Sequence, residues 1–206
     1  MSSFTKNEVY ELIISWVVLT VAFGFAFSGS VFSFIDFNNL VWSFIYLLPK
    51  YFIIIIYSLP KYFIVVGAAF LLHELSHKFT AIRYGYFAQF HMWQTALLLA
   101  LLMAVTVGFV FAAPGAVYIY GINDEKKDAK ISLSGPFANI AVAVVSLISY
   151  RISFIPLLAQ VAYISALIGV FNLLPFGPLD GNKIFRHEKI WWVLLIAIGA
   201  IIIFTI

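Results

Sequence analysis

An apolar run from Tyr62 to about Tyr84 carries two histidines and a glutamate in its interior, as Leu71-Leu72-His73-Glu74-Leu75-Ser76-His77. Residues four apart share a helix face, so His73 and His77 stack one turn apart. Two imidazoles in that relation can bind one Zn²⁺, and Glu74 beside them can reach a water bound to the metal. The same H-E-x-x-H spacing arises by chance in soluble helices, where His and Glu are ordinary surface residues. Inside an apolar segment that explanation loses its force. An acid at the centre of a membrane helix costs about 2.5–3.5 kcal/mol, and intramembrane ionisable residues mark functional sites.

The rest of the chain has the same character. Of its 206 residues, 64% are hydrophobic and only 10% are charged, which excludes a soluble domain of this length. The expected class is an all-α polytopic membrane protein. It should have about six transmembrane helices and a small membrane-embedded β or re-entrant element. Tyr and Trp near segment ends suit interfacial anchoring. The net charge of +3 is scattered, with no basic patch for nucleic acid. There is no cysteine, so a metal site must use His and carboxylate. The first apolar stretch lacks a small-residue cleavage site and reads as a retained span.

Taken in order, residues 1–11 are polar and hold Lys6, Glu8 and Glu11. Leu12 to Phe27 is a first span, broken by Ser28-Gly29-Ser30, and a loop with Asp36 follows to about Asn39. Residues 40–61 contain Leu48-Pro49-Lys50-Tyr51-Phe52-Ile53 and, eleven on, Leu59-Pro60-Lys61-Tyr62-Phe63-Ile64. A Lys with aromatic neighbours at this spacing suits a helix lying in the interface. The motif helix then begins at Tyr62. Thr95 to Ala112 is a further apolar run. Beyond Pro114-Gly115, the β-branched and aromatic residues Val117-Tyr118-Ile119-Tyr120 favour a strand. Run and strand together are expected to dip into the membrane as a hairpin. The polar stretch from Asn123 to Lys130 lies outside the hydrocarbon. Ser134 reads as an N-cap with Pro136 in the first turn of a span reaching about Tyr150. Leu157 to Leu174 returns. Pro175-Phe176-Gly177-Pro178 prevents a continuous helix, and such backbone is tolerated at membrane depth only where it lines a cavity or is buried in protein. Ile190 to Ile206 is a last apolar run. This divides the chain into an N-terminal span with an interfacial segment (1–61), a transmembrane core (62–185) and a C-terminal transmembrane segment (186–206). Lys78 with Arg83, Lys126 with Lys127 and Lys130, and Lys183 with Arg186 and Lys189 are expected on the cytoplasmic side, with Arg151 and Asp36 facing out.

Two histidines underfill a catalytic zinc, which usually has three protein ligands and an open position. The residues leave several candidates for the third. His91 follows the motif helix among aromatics, and His187 lies in a basic loop. Asp124, Glu125 and Asp128 belong to a charge run that reads as a solvated face. Asp180 is a lone acid in the Pro/Gly-rich segment, where it could equally be a helix N-cap.

The set His73-Glu74-Leu75-Ser76-His77, then Asn172, Pro175 and Leu179-Asp180-Gly181, resembles the site-2 protease family of intramembrane zinc metalloproteases. Ser134-Gly135-Pro136 with Asn139 is similar to that family's motif opening the middle core helix. The likeness covers residues 62–185. It implies one zinc per chain held by His73, His77 and Asp180, with Glu74 as general base, and it suggests that Asn139 and Asn172 line the site. The implied reaction is hydrolysis of a peptide bond within or next to a membrane-spanning helix of a substrate protein, in the cell membrane near its cytoplasmic side. An Asn amide could stabilise the oxyanion, or hold two helices together. The strand around Val117, Tyr118 and Ile119 could receive the unwound substrate by edge addition.

Three other readings compete. A membrane zinc protease with a Glu ligand would have to use Glu125 or Glu188, both in charged loops. A zinc transporter or other non-catalytic metal binder would not need Glu74 beside the ligands. An inactive scaffold does not explain the intact set of His73, Glu74, His77 and Asp180.

Overall fold

The computed structural model describes residues 4–28, 38–110 and 114–206. Helix α1 (Lys6–Phe27) is capped by Thr5, whose Oγ1 accepts the Glu8 N–H at 3.1 Å. It starts six residues before the expected span. Ser28 ends it. Gly29, Ser30 and the expected loop with Asp36 lie outside the described residues.

Asn39 caps the next helix by accepting the Trp42 N–H. Helix α2 then runs without a break from Leu40 to Arg83, 44 residues. No helix break falls between residues 61 and 62, and the stretch expected to lie in the interface is continuous with the motif helix. At about 1.5 Å per residue α2 is about 66 Å long, roughly twice the hydrocarbon thickness. Two π-turns, Ser43–Leu47 and Gly67–Leu71, interrupt its α-geometry. The second immediately precedes the turn bearing His73. Such turns shift the phase of a helix and recur at functional sites. Beside it, Trp16 of α1 donates Nε1–H to the Phe63 carbonyl at 2.9 Å and stacks on the Phe63 ring.

Strand β1 (Phe87–Met92) follows, then helix α3 (Gln94–Thr106) and strand β2 (Gly115–Tyr120). The strands pair antiparallel, with Gln89 opposite Tyr118 and His91 opposite Ala116. The expected strand therefore forms, but its partner is β1, not the apolar run. The helix within the run ends at Thr106, Ala112 lies outside the described residues, and α3 packs on α1 through Leu97, Ala100 and Ala104. In β1, Ala88 and Phe90 are buried in alternation, the period-2 signature of a strand with one face in the core.

Helix α4 (Glu125–Ser153) starts nine residues before the expected Ser134 cap, because Asp124 Oδ1 accepts the N–H groups of Lys126 and Lys127. Ser134 and Pro136 are thus interior residues. The charge run is the helix's first turns. It pairs with the chain's other basic end through Asp128 to Lys183 at 2.9 Å and Glu125 to His187 at 3.2 Å. Helices α5 (Pro156–Asn172), α6 (Asp180–His187) and α7 (Lys189–Thr205) complete the chain.

Among the described residues, α1, α2 and α4 are long and apolar enough to cross a membrane, while α3, α5 and α7 are shorter apolar helices. Large apolar side chains stay exposed on the outer faces, including Ile148, Ile152, Ile201 and Phe204. That pattern suits contact with lipid, as water would leave it uncovered at a cost. The principal core gathers Leu19 and Phe23 of α1, Val66 and Phe70 of α2, Phe90 of β1 and Ile164 of α5. Helix α1 is part of this core and not an appended span.

One buried ion pair lies beside that packing. Lys78, expected as a topology signal, is 2% exposed and donates to both Glu8 carboxylate oxygens at 2.7 Å and to the Ala88 carbonyl at 2.9 Å. Glu8 is fully buried. Removing one partner of such a pair costs about 3–5 kcal/mol, because the other charge is stranded.

Candidate metal centre

His73 and His77 lie one turn apart on α2, and α4 crosses directly against them. Gly135 makes the crossing possible: a Cβ there would sit 2.6 Å from His77 Cε1 and 2.8 Å from His73 Cε1. Pro136, next in α4, has no N–H, so the Ser132 carbonyl one turn before it has no helical donor. In that turn the Ile131 carbonyl accepts His77 Nδ1–H at 2.8 Å. The bond fixes the ring and leaves Nε2 as the free electron pair.

His73 is held similarly. The Asn139 amide lies 3.2 Å from His73 Nδ1, through Nδ2, while its Oδ1 is buried without a partner among the described residues. With the amide turned end for end, Oδ1 accepts the Nδ1 hydrogen. Asn139 is fully buried behind the ring, and it is not among the residues that line the cavity beside the triangle.

Asp180 arrives from the opposite side. Helix α5 ends at Asn172, and the turn that follows delivers α6 with Asp180 as its first residue, Leu179 being the cap. Trp192 Nε1–H clamps the turn through the Leu173 carbonyl at 2.6 Å. Gly181 lies against that carbonyl so closely that any side chain would collide with it. Asp180 Oδ2 then stands 3.1 Å from His77 Nε2 and 3.3 Å from His73 Nε2, and the two nitrogens are 3.1 Å apart.

This triangle fits zinc. Bonds of about 2.0–2.1 Å at tetrahedral angles would separate ligand atoms by about 3.3–3.4 Å. Three electron-rich atoms at such distances are held together by a shared proton or by a metal ion between them. His73, His77 and Asp180 could therefore hold the ion, and they form the one such group of His, Asp and Glu among the described residues.

The other candidates are elsewhere. His91 Nδ1 is 3.5 Å from Glu11, and His187, Glu125, Asp124 and Asp128 are engaged in the surface pairs and the α4 cap.

A cavity of about 110 Å³ opens on the triangle and is lined by Glu74, Val117, Ile119, Asn172 and Asp180 among others. Glu74 is 6% exposed, and its Oε2 has no hydrogen-bond partner among the described residues. Asn172 donates one Nδ2 hydrogen to the Ile168 carbonyl at 3.0 Å. Tyr118, expected with Val117 and Ile119, is on the other face of the strand, where its hydroxyl accepts Trp93 Nε1–H at 3.1 Å.

The chain is 34% identical to the protein named "Putative zinc metalloprotease MJ0611" of Methanocaldococcus jannaschii, over 93% of this chain and 90% of that one. The chain belongs to this zinc metalloprotease family. It is also 27% identical to "Zinc metalloprotease MJ0392" of the same organism, over 56% of this chain and 30% of that longer protein. No family profile and no solved structure matches it.

Gly135 gives the site its sharpest packing test. Gly135→Ala should lower bound zinc well below one per chain while α2 and α4 still form, because the added methyl occupies the space of both rings. Zinc analysis beside circular dichroism checks this. Wild-type zinc in the variant would show that the rings can be displaced without loss of the site.

Proposed function

We propose that the protein is an intramembrane zinc endopeptidase of the site-2 protease type, cutting a peptide bond within or next to a substrate's transmembrane helix near the cytoplasmic face. The convergence of His73, His77 and Asp180 beside the unpartnered Glu74 carboxylate is the observation that carries this reading. Zinc held there would lower the pKa of a water to about 7 and polarise a carbonyl. Glu74 takes the proton of the attacking water and returns it to the leaving nitrogen. Burial without a partner leaves its oxygen available for that work. Asn172, with an Nδ2 hydrogen to spare, stands where it can steady the developing oxyanion. Asn139 and the Ile131 carbonyl hold the two imidazoles in the tautomer that presents Nε2.

A substrate helix shields its amides with its own hydrogen bonds, so it must unwind before attack. Strand β2 offers a place to receive it, since β1 covers one edge and no strand covers the other among the described residues. Reconstituted in lipid with a single-span reporter, the protein should cut within the span, and a zinc chelator should stop it. Val117→Pro or Ile119→Pro, which removes a backbone N–H, should abolish cleavage with zinc unchanged. Absence of cleavage by the wild type across a panel of single-span reporters would overturn the proposal.

A further inference from the structure

Glu8 and Glu11 of α1 and Lys78 of α2 have a geometric pattern that the peptidase reading does not use. Phe90 N–H donates to Glu8 Oε1 at 3.0 Å, and Met92 N–H donates to Glu11 Oε2 at 2.9 Å. The Ala88 carbonyl accepts from Lys78 Nζ at 2.9 Å. In an antiparallel ladder alternate residues point their backbone groups toward and away from the partner strand. Residues 88, 90 and 92 therefore face away from β2, and each has an outward group taken by a charged side chain. The pairs that bond across the ladder are Gln89 with Tyr118 and His91 with Ala116. On β2 the outward backbone groups consequently belong to Val117 and Ile119, the residues whose side chains line the cavity beside Glu74 and Asp180.

We infer that Glu8, Glu11 and Lys78 are positioning residues for the substrate. They close the outer edge of β1, so an extended peptide can add only along β2, and they tie the strand pair to α2 at the residue following His77. The inference rests on the endopeptidase reading. A buried pair such as Glu8 with Lys78 is no better for stability than apolar packing of the same volume. What charges supply here and apolar residues cannot is an acceptor for the Phe90 and Met92 N–H groups and a donor for the Ala88 carbonyl. An open strand edge otherwise pairs with any extended segment. With β1 anchored, β2 keeps one register relative to Glu74. If β1 slips, the register that preserves side-chain facing is displaced by two residues.

Glu11 is the residue to test, because it is less buried than Glu8 and its loss strands no partner lysine. In the reconstituted protein with a single-span reporter, Glu11→Ala should raise KM about tenfold with kcat little changed, the pattern of lost binding and not of lost chemistry. A second cleavage about two residues from the first should appear. Zinc should stay at the wild-type level. Glu11→Gln, which keeps an acceptor oxygen for Met92 N–H, should restore KM and the single cut. Hydrogen exchange provides a readout without turnover: the Phe90 and Met92 amides should exchange more slowly than those of Val117 and Ile119, and Met92 should lose its protection in Glu11→Ala. Wild-type KM and a single cut in Glu11→Ala would overturn the inference, as would equal exchange at the two edges. Failure of the wild type to cut any reporter would instead count against the peptidase reading, and the exchange measurement would still decide the closed edge.

Discussion

Glu74→Gln should slow peptide hydrolysis by about 10²–10⁴-fold or more, the usual contribution of a positioned general base, and leave zinc bound. The amide is isosteric with the acid, and Glu74 is not one of the three converging ligands. Its Oε2 has no partner to lose, so the exchange takes no hydrogen bond away from a neighbour there and the helix should pack as before. Removing the charge should even ease burial, since a carboxylate inside protein is held against desolvation. The decisive comparison is cleavage of a reconstituted reporter beside zinc content in the same preparation. A metal carrier would keep its behaviour through this substitution. Cleavage at the wild-type rate would remove Glu74 from the chemistry and with it the proposed mechanism.

Asp180→Ala should produce the opposite metal result with the same silence in the assay. Two imidazoles remain, one short of the three protein ligands a catalytic zinc needs. Affinity should fall by more than about 100-fold, because losing even an outer partner of a ligand costs 10–100-fold. The fold should survive. The turn before α6 is held by the Trp192 bond to the Leu173 carbonyl and by the contact at Gly181, neither of which uses the carboxylate. Zinc titration followed by competition with a chelator measures the change. Retention of one zinc per chain at wild-type affinity would mean that the third ligand lies elsewhere.

These two substitutions separate what was readable along the chain from what was not. His73, Glu74 and His77 are legible because four-residue spacing on a helix is a local property, and their apolar setting removes the chance explanation. Asp180 lies 103 residues from His77, and residue types alone leave it level with a helix cap. Only the likeness to a known family singles it out in the sequence. Strand β1 carried a signal, the alternation around Ala88 and Phe90, but six residues following a long apolar helix are easily taken for its tail. The helix start at Asp124 was hidden by charge: a run of acids and lysines reads as solvated, and it is solvated, as the first turns of a helix. Ser134 and Pro136 looked like a start because their residue types suit one, yet the interior Pro136 accompanies an Ile131 carbonyl turned to His77.

The chain's own order of residues determined a strongly apolar, helical protein with a two-histidine, one-glutamate turn buried in it, because hydropathy and helical period act over neighbours. Tertiary structure alone decided that Lys78 is a buried partner of Glu8 and not a surface cation, that Asn139 turns toward a ring and not toward the cavity, and that three atoms able to hold a metal, from two distant helices, meet. Those outcomes depend on which surfaces face each other across the bundle, and no spacing along one segment encodes that.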